Sequence, residues 1–326
     1  MTKPLREAYG EALLKYGGGN PDVVVLDADV SSSSRSCLFG AEYPERFFNV
    51  GIAESNMTGM AAGFASVGKT AVANTFAIFF STLGLCAARG LISYTNLNVK
   101  LMGAYGGMSG AYDGPSHHAM EDIAIMRTLP NMTVMCASDN AIVDWMVKTA
   151  LDTPGPFYIR LTRDAAADVH KPGADFQIGK GAVVREGKDA TIIATGVMVG
   201  KALQAAEMLS SQGIRAGVVD MFTIKPLDTE LILAKATETG LIITAEEHSV
   251  IGGLGGAVAE AIARSDANPV MEFVGLRDRY AETASHKELL ERYGMDGKDI
   301  ASAVLKGLSR KNNRHGGRAA ICADTP

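Results

Sequence analysis

The sequence is poor in cysteine, and its cysteines are widely separated. The 326 residues include four of them, at Cys37, Cys86, Cys136 and Cys322, and no Cys-x-x-Cys pair occurs. Secreted disulfide frameworks and thiolate metal sites both need closely patterned cysteines. The spacing excludes these two classes and indicates reduced, structural thiols in a cytosolic protein.

A strong excess of charge of one sign is also absent. Lys and Arg number 31 against 36 Asp and Glu, a formal net charge of −5. Non-specific binding to nucleic acid is favoured by a basic surface, so we expect no nucleic-acid partner. The N-terminal residues 1–7 contain no apolar run of the kind that a signal peptide requires. We therefore expect a cytoplasmic protein.

One long stretch, residues 70–88, carries no charge. Its length of about 19 residues approaches that of a membrane-spanning helix. It nevertheless contains Asn74, Thr75, Ser81 and Thr82, and it divides into a β-rich piece and a helical piece. We predict a buried strand, turn and helix, and no membrane association.

Short β-type runs alternate with helical patterns through the first half of the chain, and such alternation predicts a parallel sheet with helices on both faces. Strands are predicted at 23–26, 71–74, 99–102, 133–136 and 157–160. Helices are predicted near 4–16, 54–67, 80–94, 118–128 and 139–151, the last with a capped start at Ser138-Asp139.

A polar stretch that contains Pro172-Gly173 interrupts this pattern, and a second alternation follows it. Strands are predicted there at 190–194, 216–220, 241–244 and 270–273, and helices at 197–212, 228–238, 255–265 and 286–292. We predict two α/β domains in tandem, residues 1–165 and 180–308. A linker over 166–179 joins them, and a disordered tail over 309–326 follows.

A lone carboxylate, Glu54, follows a glycine-flanked loop and begins a predicted helix rich in small residues. Small residues allow another surface to approach closely, which would place this carboxylate against something outside its own helix. An ordinary first-turn acid, favoured by the helix macrodipole, has the same appearance. Composition alone leaves both interpretations open.

Polar or aromatic segments follow two of the predicted strands, where sites form in open α/β sheets. The first contains Asp27, which is either part of a site or the cap of an Asp/Ser turn. The second contains Phe76 and Phe79, which are either core aromatics or a flat wall for a heteroaromatic ring.

Three other segments could also carry chemistry. The loop 106–118 is rich in glycine and polar residues, which suits a site better than a core. Arg160 and Arg163 at a strand end suit either anion binding or surface ion pairing. The glycines of 252–256 open a helix, as phosphate-binding loops do, although close packing explains them equally well.

Taken together, these segments resemble one family. The motifs Gly-Ile-Ala-Glu (51–54), Thr-Phe-x-x-Phe (75–79), Asp-Gly-Pro-Ser-His (113–117) and Glu-Glu-His-Ser-x-x-Gly-Gly-Leu-Gly (246–255) follow the order found in thiamine-diphosphate enzymes of the transketolase group. The resemblance covers about residues 4–305. It implies a pyrimidine-binding parallel-sheet domain followed by a transketolase C-terminal-like α/β domain. It also implies transfer of a two-carbon ketol unit from a ketose or ketose phosphate to an aldose.

The resemblance implies roles for individual residues. Glu54 would contact the cofactor aminopyrimidine and help to activate thiamine diphosphate, and Ile52 lies in the same cofactor motif. Phe76 would stack on the pyrimidine, with Phe79 as the second phenylalanine of the ring pocket. His117 would be the second catalytic residue, close to the reacting centre.

The implied substrate-binding residues are Asp113, His117, Arg163, Asp27 and Tyr105. Asp113 and His117 match loop residues that contact donor hydroxyls, and Arg163 matches an arginine that holds the sugar phosphate. Two departures alter this picture. Tyr105 stands where many transketolases have histidine, and Tyr112 stands where glutamate is common. These departures predict a non-standard sugar or an altered anion.

The motif that binds diphosphate and metal in this family is absent. It requires Gly-Asp-Gly followed by asparagine, and no Gly-Asp-Gly occurs in the sequence. The sequence also starts where the pyrimidine-binding domain would start. We therefore expect the C-terminal subunit of a split transketolase, with no metal ligands of its own. A separate N-terminal subunit would bring the Mg²⁺ and diphosphate site, in an α2β2 assembly, and this chain alone would be inactive.

Three alternatives remain open. The beta subunit of a 2-oxoacid or acetoin dehydrogenase shares Gly-Ile-Ala-Glu, the domain order and the need for a partner, but the Asp-Gly-Pro-Ser-His loop favours transketolase. Deoxyxylulose-phosphate synthase has that loop, usually in one long chain. A noncatalytic interaction protein could keep the fold, although the joint presence of Glu54, Phe76, His117 and Arg163 argues against it.

Overall fold

A computed structural model describes residues 3–171 and 173–322, with side chains as far as residue 314. The strands are β1 Val23–Asp27, β2 Phe47–Asn49, β3 Thr70–Phe76, β4 Val99–Ala104, β5 Thr133–Cys136, β6 Phe157–Arg160, β7 Ala182–Arg185, β8 Ala190–Ala194, β9 Ala216–Asp220, β10 Thr223–Lys225, β11 Leu241–Ser249 and β12 Val270–Leu276.

The α-helices alternate with these strands. They are α1 Leu5–Ala12, α2 Ser31–Ser34, α3 Cys37–Glu42, α4 Glu54–Ser66, α5 Ala77–Ser81, α6 Leu85–Ala87, α7 Asp122–Thr128, α8 Asn140–Asp152, α9 Met198–Ser210, α10 Thr229–Thr239, α11 Leu254–Ala263, α12 His286–Arg292 and α13 Gly297–Cys322. Side-chain caps begin three of them, from Asp139 at α8, Asp228 at α10 and Ser285 at α12.

The described residues form a seven-stranded and a five-stranded sheet. The order of the first is β10-β5-β6-β4-β3-β1-β2, and β10 is its antiparallel edge strand. The order of the second is β12-β11-β8-β9-β7, with β7 as the antiparallel edge. The inner strands are buried along their whole length, because helices cover both faces of a parallel sheet. The predicted architecture of two tandem α/β domains is confirmed.

Three strands escaped the sequence prediction, namely β2, β7 and β10. Strand β10 comes from the second half of the chain but pairs with β5 of the first sheet, with Thr223 opposite Met135. The second half of the chain therefore completes the first sheet. Three-residue strands such as β2 and β10 give almost no periodic signal.

The predicted linker between the two domains carries no helix or strand in the part of 166–179 that the structure describes. It is nevertheless tied to the first domain. The backbone N–H groups of Val169 and His170 both donate to Asp139 Oδ2, at 2.9 and 2.7 Å. His170 Nε2 also lies 3.5 Å from the Asp220 carboxylate at the end of β9.

The stretch 309–326, for which a disordered tail is predicted, begins with a continuation of a helix in the structure. Residues 309–322 continue α13, while 323–326 lie outside the described residues. Lys306 and Arg310 both form ion pairs with Glu272 of β12. Lys311 Nζ donates to the carbonyl of Thr239. These basic side chains attach the helix to the second sheet.

The charge-free stretch at 70–88 is divided between β3, α5 and α6, as predicted. Thr70 to Phe76 are buried inside the first sheet, which accounts for the lack of charge. None of the helices within the described ranges is long and apolar enough to cross a membrane.

Candidate active site

The candidate residues follow neighbouring strands of the first sheet. Glu54 begins α4 just after β2, and Phe76 is the last residue of β3. Tyr105 directly follows β4, and Arg163 lies three residues after the end of β6. Because these strands are parallel, their carboxyl ends meet at the same edge of the sheet. The fold therefore brings the separate motifs together.

Glu54 is a buried acid, with 5% of its surface exposed. Its backbone carbonyl accepts a hydrogen bond from Thr58 Oγ1 at 2.8 Å, but its carboxylate has no hydrogen-bond partner among the described residues. Its carboxylate oxygens are not among the fully buried polar atoms that lack a partner, so a ligand can reach them. The site thus suits a ligand that offers a ring nitrogen to this carboxyl group, as an aminopyrimidine does.

An aromatic wall, formed by Phe76, Phe79, Tyr105 and His117, lies at the same sheet edge. The rings of Phe76 and Tyr105 are stacked, with centroids 4.4 Å apart and planes 10° apart. Phe79 stacks on Phe76 at 5.9 Å, and His117 meets both phenylalanines edge-on at 5.9 and 5.4 Å. Stacked and edge-on rings leave flat apolar surface for another ring. The wall fits a heteroaromatic cofactor.

Tyr105 joins this wall to two basic residues. Its hydroxyl accepts a hydrogen bond from Arg6 Nη1 at 3.2 Å, and the Arg163 guanidinium lies 5.2 Å from its ring centroid. Arg6 and Arg163 are both half-buried, whereas Tyr105 is buried and has a positive φ of 57°. Two guanidinium groups beside one phenol form an anion-binding environment.

The two candidate residues of the loop 106–118, Asp113 and His117, differ in how far they are buried. Asp113 is exposed, whereas His117 is half-buried, with Nδ1 3.0 Å from Ser116 Oγ. The following histidine, His118, is buried and contacts the carbonyl of Ala111 through Nε2 at 3.3 Å. Of the two histidines, His117 is the one that packs against Phe76 and Phe79 and remains partly exposed.

Ile52 belongs to an exposed apolar surface beside Glu54. Its side chain is 82% exposed, and that of Leu83 is 51% exposed. Ser55 Oγ donates to the carbonyl of Leu83 and so joins α4 to this region. Large apolar groups on the surface of a protein mark contact sites when they are contiguous. This surface therefore lies where a second polypeptide could cover Glu54.

The assignment of Asp27 to substrate binding is not supported by its contacts. The residue is completely buried, and its carboxylate accepts hydrogen bonds from Val30 N, Ser34 Oγ and Ser36 Oγ at 2.6, 3.1 and 2.8 Å. Burial raises the pKa of Asp27 to about 6, although these three hydrogen bonds oppose the rise. Asp27 stabilises the turn after β1, as the alternative interpretation held.

The glycine-rich segment 252–256 does not offer a free helix terminus to phosphate. Glu246 occupies that position, because Leu254 N and Gly255 N donate to its carboxylate at 2.7 and 2.8 Å. Glu246 is buried, and an anion at the start of α11 complements the helix dipole. Close packing, the alternative interpretation, explains the glycines.

Four residues near the site escaped the sequence reasoning. They are Arg6, Asp164, Glu247 and His286. Arg6 lies 99 positions from Tyr105 in the chain, and Glu247 and His286 belong to the second sheet and its helices. His286 Nε2 is 2.9 Å from Glu247 Oε1, and its Nδ1 is 3.3 Å from Asp164 Oδ2. No short motif links such distant positions.

The described residues contain no group of three or more His, Cys, Asp or Glu side chains that could hold a metal ion.

Comparison with known proteins gives a consistent assignment. Residues 2–168 match the model of the transketolase pyrimidine binding domain, and residues 179–300 match that of the transketolase C-terminal domain. The chain is 42% identical over 313 residues to a putative transketolase C-terminal section from Methanocaldococcus jannaschii, covering 95% of this chain and 98% of that protein.

Two further relatives are similar over nearly their whole length. The 6-deoxy-6-sulfo-D-fructose transketolase subunit SqwH of Clostridium sp. (strain MSTE9) is 40% identical over 310 residues, covering 95% of this chain and 96% of that protein. A solved structure described as a split gene transketolase, inactive beta4 tetramer, is 46% identical and superimposes with a TM-score of 0.85, covering 95% of this chain and 99% of that one.

Matches in both domains and near-complete coverage of these relatives agree with the site geometry. The chain belongs to the thiamine-diphosphate-dependent transketolase family, within which it resembles the C-terminal section of split transketolases.

Proposed function

We propose that this chain is the C-terminal subunit of a transketolase that transfers a two-carbon ketol unit from a ketose or ketose phosphate to an aldose. The observation that carries the proposal is Glu54, a largely buried residue whose carboxylate has no hydrogen-bond partner among the described residues, at the same sheet edge as the aromatic wall. When bound, thiamine diphosphate supplies a nucleophilic carbon and an electron sink that amino-acid side chains lack.

The residues of this chain would bind and orient that cofactor. Glu54 would hold a proton at the ring nitrogen of the aminopyrimidine, since its carboxylate has no hydrogen-bond partner among the described residues and remains accessible to a ligand. Phe76 and Phe79 would contact the flat face of the ring. Ile52, exposed at the same surface, would be covered by the partner subunit and help to exclude solvent.

The substrate would bind farther along the same sheet edge. Arg6 and Arg163 would hold its anionic group, and Tyr105 would position both guanidinium groups. His117, which touches the aromatic wall edge-on, would donate or accept a proton at the reacting oxygen of the donor. Asp113 would accept a hydrogen bond from a sugar hydroxyl. Tyr105 in place of histidine favours an anion other than that of an ordinary pentose phosphate.

A second subunit completes the proposed enzyme. The sequence lacks Gly-Asp-Gly, and the described residues offer no metal cluster. We expect an N-terminal transketolase subunit to bind the diphosphate and Mg²⁺ in an α2β2 assembly. The name of the related split-gene protein, an inactive beta4 tetramer, agrees with inactivity of the C-terminal chain alone. The three described cysteines are free, in keeping with a cytoplasmic location.

Calorimetric titration of thiamine diphosphate with Mg²⁺ tests this proposal. We expect heat of binding when this chain is mixed with the N-terminal transketolase subunit encoded beside it, and none for either chain alone. The reason is that the aminopyrimidine and diphosphate sites lie on different chains. Omission of Mg²⁺ should abolish the signal, and Met208→Gln, at an exposed position on α9, should leave it intact.

Tight, Mg²⁺-dependent binding by this chain alone would contradict the split-site proposal. Ketose donors and pyruvate should then be compared with the reconstituted pair. Turnover of a ketose with an aldose acceptor supports transketolase, whereas turnover of pyruvate without ketose transfer would favour the 2-oxoacid dehydrogenase alternative.

Arg163→Leu is expected to raise KM for an anionic donor by about 10- to 100-fold, because charge-assisted hydrogen bonds contribute about 1.5–3 kcal/mol. The kcat should change much less, since the anion lies away from the reacting carbon. Steady-state kinetics of the reconstituted enzyme measures both values. Arg185→Leu on β7 of the second sheet is the matched control. Equal loss of affinity for an uncharged ketose would contradict the anion-binding role.

A further inference from the structure

The second domain supplies none of the residues proposed above, yet two of its side chains contact residues that are close in the chain to the proposed substrate residues of the first. Glu247, in β11, is almost completely buried, with 2% of its surface exposed. His286, the first residue of α12, bridges Glu247 Oε1 at 2.9 Å and Asp164 Oδ2 at 3.3 Å. The three residues form a contact that we call the interdomain clamp.

Glu247 holds the start of the substrate loop 106–118. Met108 N donates to Glu247 Oε1 at 2.6 Å. A Cβ at Gly107 would lie 2.2 Å from Glu247 Cδ, and the φ of Gly107 is +67°. Only glycine therefore permits this approach. The loop begins directly after Tyr105, so its first residues are held by a carboxylate from the other domain.

The segment that leads into α12 touches the same loop at its far end. A Cβ at Gly114 would lie 2.9 Å from Thr283 Oγ1, and Gly114 has a φ of +82°. Gly114 follows Asp113 and lies three residues before His117. The second domain thus contacts the loop both near its beginning and beside its two candidate substrate residues.

Asp164 extends the clamp to the two basic residues. It directly follows Arg163, and its carbonyl accepts a hydrogen bond from Leu5 N at 3.1 Å. Leu5 directly precedes Arg6. His286 is therefore linked to three parts of the proposed substrate site. Glu247 connects it to the loop, and Asp164 connects it to Arg163 and, through Leu5, to Arg6.

A positive charge on His286 would stabilise the carboxylates of Glu247 and Asp164. Its side chain is 12% exposed, and burial alone would lower its pKa. Glu247 and Asp164 outweigh that effect and raise the pKa of His286 to about 10. The ring is thus an imidazolium at neutral pH, and both nitrogens donate. Arg160 also faces Glu247, because its Nη2 donates to the Glu247 backbone carbonyl, but His286 is the cation that contacts the carboxylate directly.

We propose that His286 and Glu247 are positioning residues, through which the second domain sets the geometry of the substrate loop and of Arg163. This inference rests on the proposed function for its catalytic consequence, but the clamp itself is a property of the chain alone. Neither residue touches the cofactor or the reacting atoms in the proposed site.

Hydrogen–deuterium exchange on the unassembled chain tests the clamp without any activity. In His286→Leu, peptides that cover 104–119 should exchange at least about 10-fold faster, while peptides from β8 and β9 stay unchanged. Lys287→Leu is the matched control, since that neighbouring side chain is 81% exposed. His286→Lys retains a cation and should restore exchange to within about threefold of the unaltered chain.

Kinetics of the reconstituted pair tests the positioning role. His286→Leu should raise KM for the ketose donor about 10-fold and leave kcat within about threefold, because the loop is misplaced while Glu54 is untouched. His286→Lys should recover most of the lost affinity. Glu247→Gln, which keeps an acceptor for Met108 but removes the charge, should give an intermediate KM and serves as a second variant if His286→Leu does not fold.

Unchanged loop exchange together with unchanged KM in both His286→Leu and Glu247→Gln would overturn the inference. A fall in kcat with KM constant would also overturn it, because that pattern indicates damage to the chemical step. A third outcome separates the two proposals. If the loop exchanges faster in His286→Leu but the unaltered reconstituted pair shows no ketose transfer, the proposed function is refuted and the clamp is still supported.

Discussion

Glu54→Gln is expected to lower turnover by the reconstituted enzyme by about 10²–10⁴-fold, the range for loss of a positioned acid–base group. Glutamine retains the shape of the side chain but cannot share a proton with a ring nitrogen. Glu54 has no hydrogen-bond partner among the described residues, so the change breaks no side-chain contact there. Ketose transfer should be assayed at saturating thiamine diphosphate, so that weaker cofactor binding does not enter the rate.

The matched control is Glu45→Gln, because that acid has a 67% exposed side chain away from the candidate residues. Both variants should keep the thermal midpoint of the unaltered chain within about 2 °C, the range for changes of a few tenths of a kcal/mol. Full activity of Glu54→Gln in the reconstituted pair would restore the noncatalytic interpretation of the fold.

Arg160→Met is expected to lower the free energy of unfolding by about 3–5 kcal/mol, the usual cost of removing one partner from a buried ion pair. Arg160 Nε donates to Asp122 Oδ2 at 2.8 Å, and both side chains are almost completely buried. Its Nη2 also donates to the carbonyls of Ala119 and Glu247, at 2.9 and 2.8 Å. The variant would leave Asp122 as a buried charge and two carbonyls without this donor.

Urea unfolding followed by circular dichroism measures this loss. The double variant Asp122→Leu/Arg160→Met should recover part of it, since no isolated charge then remains. Lys148→Met is the matched control, because its partner Asp152 is exposed and surface ion pairs contribute about 0–1 kcal/mol. A loss below about 1 kcal/mol in Arg160→Met would show that this buried ion pair contributes little to the free energy of unfolding.

The inner strands could be predicted because burial on both faces requires continuous apolar runs, as at 190–194 in β8. The edge strands β7 and β10 do not need continuous apolar runs. Strand β10 is defined by the pairing of Thr223 and Lys225 with β5. Helix α13 was not predicted at all. Lys306 and Arg310 on this helix form ion pairs with Glu272 of β12, and contacts between such distant residues leave no local signal in the sequence.

Within the candidate site, local motifs pointed to residues whose place in the fold depends only on where a strand ends or a helix begins. Glu54 at a helix start and Phe76 at a strand end are such cases. Asp27 has the same kind of position, but in the structure Ser34 and Ser36 fold back and donate hydrogen bonds to its carboxylate. A sequence shows that these serines are near but does not show where they point.

By itself, the sequence determined the alternating α/β pattern, the order of four family motifs and the absence of Gly-Asp-Gly. These are local properties, since each depends on residues that are neighbours in the chain. Only the tertiary structure decided that Arg6 reaches Tyr105 and that His286 joins Glu247 to Asp164. Such contacts join residues that are far apart in the chain, so they form only when the sheets and helices pack together. Burial and charge at the packed surfaces then decide which side chains pair.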